Sequence, residues 1–414
     1  MSAPQRPRLL VLTSTLPRWR DDSEPRFVLD LTRALSDRFE PLILAPMAVG
    51  AARREQLEGI AVERFSYTPV AAWQRLAAPG AIMPNLRKNR LLYLLVPALI
   101  VAQFVAAARL LRRERFDLIH CHWLVPQGLV LALLSLFIKL PPMLLTCHGA
   151  DAFMFNAGPL ALLKRWVLRR AAAVTVVSRE IAATLSRFTD KPLVHIPMGV
   201  DLDHFAMRDP IQTRAPVILF AGRLAAKKGV DQLLRVLANP RLLDCGARVR
   251  IIGDGPLREE LEALASTLGV AERVGFLGAM PHARLIEEMK AAALFCAPFV
   301  IDRDGDREGT PTVLLEAAAC GMPIVTSDIG GCGDIVVHGR SGWLLPPGDE
   351  AALAVALIEA LAAPDLARAM GEGARQQALE HGWPTTAGQY AEVLLSMKSV
   401  WPAQLGEEER ACAA

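Results

Sequence analysis

No Cys-x-x-Cys pair occurs in the 414 residues, and the seven cysteines (121, 147, 245, 296, 320, 332 and 412) are scattered and odd in number. The pattern argues against a disulfide framework and for reduced thiols in a cytosolic setting. Residues 1–12 do not read as a signal peptide, because the apolar run is short and no small-residue cleavage site follows it. There is no low-complexity tract and no repeat at solenoid periods. The glycine-bearing turn Gly253-Asp254-Gly255 is not a dinucleotide fingerprint, since Leu257 and Arg258 interrupt the Gly-x-Gly-x-x-Gly spacing. The acids Asp302, Asp304 and Asp306 do not form a calcium loop, since Arg307 stands where glycine is needed; they read as an exposed loop without metal.

What is present suits a two-domain globular chain. Hydrophobic residues make up 52% and charged residues 21%, far from the composition of a disordered protein. A chain of this length suits two domains of about 200 residues. The net charge of +3 hides an asymmetry: residues 1–206 carry 26 Lys/Arg against 16 Asp/Glu, and residues 207–414 carry 20 against 27. The first half therefore favours anionic partners, a membrane surface or an acidic acceptor, unless the bias is plain surface composition.

Short apolar runs alternate with helical periodicity. Strands are expected near residues 9–13, 41–45, 143–147, 174–177, 193–196, 217–221, 249–255, 274–277, 293–299 and 324–326, and this alternation predicts parallel, doubly wound α/β sheets. Residues 27–35 read as a helix, and residues 50–90 hold turn signals with scattered arginines. Residues 91–111 are apolar enough to span a membrane, but Pro97, Gln103 and Arg109 favour a helix packed on the sheet. The competing reading is a surface helix, with Arg87, Lys88, Arg90, Lys164, Arg165, Trp166, Arg169 and Arg170 facing anionic lipid. Residues 201–215, with little periodicity, read as a linker, and the polar tail from 403 to 414 as loose.

The densest pattern is Glu308-Gly309-Thr310-Pro311-Thr312-Val313-Leu314-Leu315-Glu316, then Gly321 and Pro323. Proline, helix formers and a closing glycine predict a helix that starts near Thr312. Its first-turn amides lack intrahelical partners and sit at the positive end of the dipole, which suits an anion such as phosphate. Carboxylates repel phosphate, so Glu308 and Glu316 point instead to neutral sugar or ribose hydroxyls. Strand, basic loop and helix recur around Gly222-Arg223 and Lys227-Lys228-Gly229, another setting for a diphosphate. His148-Gly149-Ala150-Asp151 follows a strand end, where open α/β sheets bind ligands. His120 and His122 mark a second such end.

These motifs resemble those of the retaining glycosyltransferases of family 4, and the resemblance covers nearly the whole chain. It implies a GT-B fold, in which two Rossmann-like doubly wound parallel-sheet domains face a central cleft. On that basis the first domain spans residues 1–200 and binds the acceptor, the second spans 216–384 and binds the donor, and a helix over 385–400 packs back onto the first. By resemblance Glu308 and His148 contact the transferred sugar. Asp151 supports the acceptor side or the orientation of His148, Arg223 and Lys228 clamp the diphosphate with the amides of Thr312 and Val313, Glu316 holds the ribose, and Gly253 and Gly255 lie near the nucleobase. Many members carry a Gly-Gly pair in the first loop. Residues 16–22 contain no glycine here, and Arg18 or Arg20 is the candidate replacement contact.

The implied activity is metal-independent, retaining transfer of a sugar from a nucleoside diphosphate to a saccharide or lipid-linked acceptor, in envelope or exopolysaccharide synthesis. No metal or other cofactor and no nucleic acid is implied, and the expected location is the cytoplasm, with peripheral contact at the inner face of the membrane. Two other readings stay open: a GT-B epimerase or phosphorylase, and a noncatalytic nucleotide-sugar-binding partner of a polysaccharide assembly.

Overall fold

The computed structural model describes residues 6–412 except 21, 23, 78–81, 155, 208–214 and 304. Residues 208–214 of the expected linker and Asp304 thus lie outside the described residues. Two compact units result: Met1–Val177 with Ile181–Ile196 and Pro384–Ala414, and Ser178–Glu180 with Pro197–Trp383.

The first unit is built on eight strands: β1 (Arg8–Leu12), β2 (Glu40–Pro46), β3 (Arg54–Leu57), β4 (Ile60–Phe65), β5 (Leu118–His122), β6 (Met143–Cys147), β7 (Ala173–Val176) and β8 (Leu193–His195). Their order is β3-β4-β2-β1-β5-β6-β7-β8. All neighbours are parallel except β3 and β4. Leu9–Leu12 on β1 and every residue of β5 and β6 are buried, as strands covered by helices on both faces require. The chain winds from β1 outward to β2 and then returns to β5 on the other side. The carboxyl ends of β1 and β5 therefore flank a topological switch point.

Residues 50–90 hold more order than their turn signals predict. β3 and β4 form a hairpin closed by Glu58 and Gly59, both at positive φ. Its scattered arginines conceal it in the sequence: Arg64 is buried, pairs with Glu55 and donates to the Pro17 carbonyl at 2.6 Å.

The apolar run packs on the sheet as expected, but through one face. It begins as a 3-10 stretch, Arg90–Leu95, without a buried residue, and continues as the helix Val96–Arg113, which packs on β2 and β4 through a narrow face that includes Leu99, Ala107 and Leu110. Only 22% of its most apolar 18-residue window is buried, so much of its apolar surface is left uncovered. The following helix spans Leu129–Leu134 and gives way to a turn at Ser135.

The C-terminal helix spans Trp383–Cys412, so the helical path continues through the segment from 403 that reads as a loose tail; glutamates and alanines there are good helix formers. In the first unit it contributes Tyr390, fully buried with its ring 5.3 Å from that of His120, and Lys398, whose Nζ lies 3.0 Å from Asp117 Oδ1.

The second unit carries β9 (Val217–Ala221), β10 (Arg248–Ile252), β11 (Val274–Gly278), β12 (Leu294–Ala297), β13 (Ile324–Ser327) and β14 (Gly342–Leu345) in the order β11-β10-β9-β12-β13-β14, all parallel. Its winding reverses between β9 and β12, and their carboxyl ends give a second switch point.

Candidate active site

In the second unit, the loops that leave β9 and β12 are tied together by charge. Lys228 Nζ lies 3.2 Å from Glu308 Oε2, and Lys227 Nζ lies 3.3 Å from Glu308 Oε1 and 3.4 Å from Asp306 Oδ1. Lys227 and Val300 tighten the same junction: the Val300 amide donates to the Lys227 carbonyl at 2.9 Å. Burial acts to raise the Glu308 carboxyl, but Lys228 and Lys227 outweigh it and hold it down to about 2. The carboxylate stays charged because two ammonium groups replace the water it has lost. Lys228 also sits over the Phe299 ring, 4.9 Å from its centroid.

Backbone geometry places these lysines. They lie in a 3-10 turn, Ala226–Lys228, ahead of the helix Val230–Leu237 rather than inside its first turn. Gly229 separates the two at φ +64°, and a Cβ there would stand 1.9 Å from the Pro298 carbonyl oxygen. Gly253 and Gly255 have a similar packing role: added Cβ atoms would meet the Gly222 and Leu224 carbonyl oxygens at 2.0 and 2.3 Å. Their close approach shapes the loop that carries Arg223, which is half-buried. The helix Thr312–Ala319 follows, with Pro311 as its N-cap residue and no side-chain cap on its first-turn amides. Thr312, Val313 and Glu316 are each half-buried on it.

In the first unit, His122 ends β5 and His148 follows β6. His122 Nδ1 and His148 Nε2 are 2.9 Å apart, and the rings stack with centroids 5.2 Å apart. Trp123 and Phe27 close around His148, with centroids at 4.8 and 5.2 Å. Trp123 holds the left-handed φ of +69°, a strained backbone at the strand end. His120, two residues before His122 on the same strand face, engages Thr146 Oγ1 at 2.8 Å, which in turn pairs with Thr175 Oγ1 at 2.6 Å. Burial lowers His120 to about 3 and, with a smaller contribution from His120, lowers His148 to about 3 as well, so both rings are neutral at pH 7.

Asp151 faces its own loop. Its Oδ1 accepts from the amides of His148 at 3.1 Å and Gly149 at 3.0 Å, and its Oδ2 accepts from Leu124 at 3.0 Å. Burial raises this carboxyl, and the three amides oppose the rise. These bonds hold the backbone at His148 and Gly149.

Three expectations change here. Arg18 is turned onto Asp22, with Nε at 2.8 Å from Oδ2 and Nη2 at 2.6 Å from Oδ1, so its fork is already filled. Lys164 is buried, donating to Ala152 O and Asn156 Oδ1 at 2.6 Å each, and does not face lipid. Lys227, which the sequence pattern passed over in favour of Lys228, contacts both Glu308 and Asp306. The doubled lysine beside Gly229 is the signal that marks it.

Comparison with known proteins extends this picture. The profile described as Glycosyl transferases group 1 matches residues 206–377, and that described as Glycosyltransferase Family 4 matches residues 25–204. A GDP-mannose-dependent alpha-(1-6)-phosphatidylinositol monomannoside mannosyltransferase of Mycolicibacterium smegmatis is 36% identical over 250 residues, covering 56% of this chain and 65% of that protein. The match thus spans just under two thirds of that relative's length. A glycogen synthase of Mycobacterium tuberculosis is 30% identical over 301 residues, covering 69% and 70%. In fold, sucrose-phosphate synthase from Thermosynechococcus elongatus superposes with a TM-score of 0.77 at 20% identity, over 95% of this chain and all of that one. Two parallel Rossmann-like sheets, the group 1 match on the second unit and the family 4 match on the first place the chain among the retaining glycosyltransferases of family 4, with the GT-B fold.

Proposed function

We propose that the protein transfers a sugar, with retention, from a nucleoside diphosphate to a saccharide or lipid-linked acceptor, and that it needs no metal to do so. The observation that carries the reading is Glu308 held between Lys227 and Lys228 at the switch point of the second sheet. A donor diphosphate would bring new negative charge to these lysines. Lys228, Arg223 and the amides of Thr312 and Val313 then stabilise the charge that builds on the departing diphosphate, which is preorganised electrostatic catalysis. Freed from Lys228, Glu308 turns to a hydroxyl of the transferred sugar, and Glu316 takes the ribose hydroxyls. A contact to the sugar is proposed for His148 as well. The acceptor hydroxyl attacks the face that the diphosphate leaves, passing its proton to a donor phosphate oxygen. Cationic side chains supply the charge that a metal ion provides in other transferases.

A lipid-linked acceptor is favoured by the surface of the first unit. Leu91, Leu94 and Phe137 are 73%, 77% and 72% exposed, beside exposed Arg87, Lys88, Arg90, Arg109, Arg112 and Lys139. Phe104, Ala108, Leu134 and Phe137 line a groove of about 330 Å³ between the basic residues Arg109 and Arg112. Apolar side chains within a basic rim match an anionic bilayer surface. The mycobacterial relative is named for a phosphatidylinositol mannoside acceptor, which supports the same choice; the enzyme would then work from the cytoplasm at the inner membrane face, in envelope polysaccharide synthesis.

The test is thermal stabilisation of the purified protein by a panel of nucleoside diphosphates and their sugars in chelator, beside the variant Arg223→Ala/Lys228→Ala. Binding to the native state must raise its stability by mass action. One base that shifts the native protein and not the variant supports the reading, and sugar transfer to an extracted lipid acceptor then completes it. Stabilisation only with added metal, or no shift with any nucleotide, removes it.

A further inference from the structure

His122 and His148 share one hydrogen bond between two neutral rings, and the surroundings decide which ring donates. Either His122 Nδ1–H donates to His148 Nε2, or His148 Nε2–H donates to His122 Nδ1. A neutral imidazole carries one proton, so each choice also fixes the far nitrogen of both rings. His122 is fully buried, and among the described residues its Nε2 has no hydrogen-bond partner. In the second arrangement that nitrogen would bear a proton, an orphaned buried N–H. In the first it carries only a lone pair, and under-satisfied acceptors are tolerated more often than orphaned donors.

We infer that His122 is a positioning residue that sets the tautomer of His148, donating from Nδ1 to His148 Nε2 so that His148 holds its own proton on Nδ1. The half-buried His148 ring then offers an N–H donor, not a lone pair, to an oxygen of a bound ligand. Through Nδ1, His148 donates a hydrogen bond to a sugar hydroxyl and does not remove a proton from it. The rest of the loop supports this fixed presentation. Asp151 anchors the His148 and Gly149 amides, and Trp123 and Phe27 pack the ring in place. The tautomer assignment stands on the unliganded protein. Only its use on a sugar rests on the proposed transferase reading.

The experiment is ¹⁵N-detected long-range correlation NMR of histidine-labelled full chain without ligand, assigned with His148→Asn, on native protein, His122→Phe and His122→Asn. Asparagine keeps an amide donor near the position of the imidazole Nδ1, and phenylalanine keeps only the ring volume. The expected result is a single His148 tautomer protonated on Nδ1 in the native protein and in His122→Asn, and loss of that single tautomer in His122→Phe. A native His148 protonated on Nε2 overturns the inference, and so does a tautomer unchanged in His122→Phe. If the phenylalanine variant fails to fold, the native spectrum and that of the asparagine variant still decide it. In a donor-hydrolysis assay, turnover should fall on the order of tenfold in His122→Phe, with nucleoside diphosphate affinity unchanged, and recover in His122→Asn. Loss of affinity in step with turnover marks a merely structural role for His122. Absence of any hydrolysis in the native protein, beside the expected spectra, counts against the transferase reading and not against the tautomer.

Discussion

Lys228 Nζ and Glu308 Oε2, eighty positions apart in the chain, meet at 3.2 Å and join the loop after β9 to the loop after β12. The contact links the lysine proposed to hold the donor phosphate to the carboxylate proposed to contact the sugar, so each constrains the other. Glu308→Gln removes the charge that occupies both lysines. Nucleoside diphosphate affinity should hold or rise in a calorimetric titration, while sugar transfer falls on the order of 100-fold. Lys228→Ala should do the reverse for affinity. It should also cost on the order of 1–3 kcal/mol in denaturant unfolding, less than the loss of an isolated buried pair because Lys227 remains.

Acid stability should follow the buried histidines. His120 and His148 each lie near 3 in the folded protein and near 6.5 when unfolded, so the unfolded chain binds more protons below pH 6.5. Their contribution is complete above pH 6.5 and is lost as the pH falls toward about 3. The unfolding free energy of the first unit should drop over that window by up to about 1.4 kcal/mol per pH unit for each histidine. His120→Gln should flatten the slope, and an unchanged slope in that variant would show that His120 does not control it.

Gly229→Ala should damage both fold and ligand binding. A side chain there is placed in the left-handed region and against the Pro298 carbonyl, so the turn must shift. Destabilisation of about 1–3 kcal/mol is expected, with weaker nucleotide binding because Lys228 is the preceding residue. Gly59→Ala, also at positive φ but with open space around its Cβ, should cost less and leave nucleotide binding alone.

Membrane attachment has its own signature. Vesicles rich in anionic lipid should carry the native protein in flotation, and Leu94→Glu/Phe137→Glu should remain in solution with its nucleotide binding intact. High salt should weaken the native interaction through screening of the basic rim. Equal flotation with neutral and anionic vesicles would remove the electrostatic part of the proposal.

The strands were readable because each is a short apolar run bounded by turn residues: the expected 143–147 and 217–221 agree residue for residue with β6 and β9. The β3–β4 hairpin was hidden, since its buried Arg64 looks like a surface residue until Glu55 and the Pro17 carbonyl are in place. Lys164 misled in the same way, for its partners come from a separate loop. Residues 91–111 read as a helix packed on the sheet, and Val96–Arg113 packs so, but composition alone did not show that only a narrow face is buried.

The sequence by itself determined the α/β class, the two-domain division of the composition, the helix after Glu308 and the glycines that let backbone segments approach one another. These follow from local rules of periodicity, capping and backbone freedom, which act over a few residues. Tertiary structure decided the partners: Glu308 between Lys227 and Lys228, His148 on His122, and Asp151 on three backbone amides. Those pairings arise where parallel strands far apart in the chain end side by side. Charge and protonation at the site depend on the burial and neighbours that this juxtaposition creates.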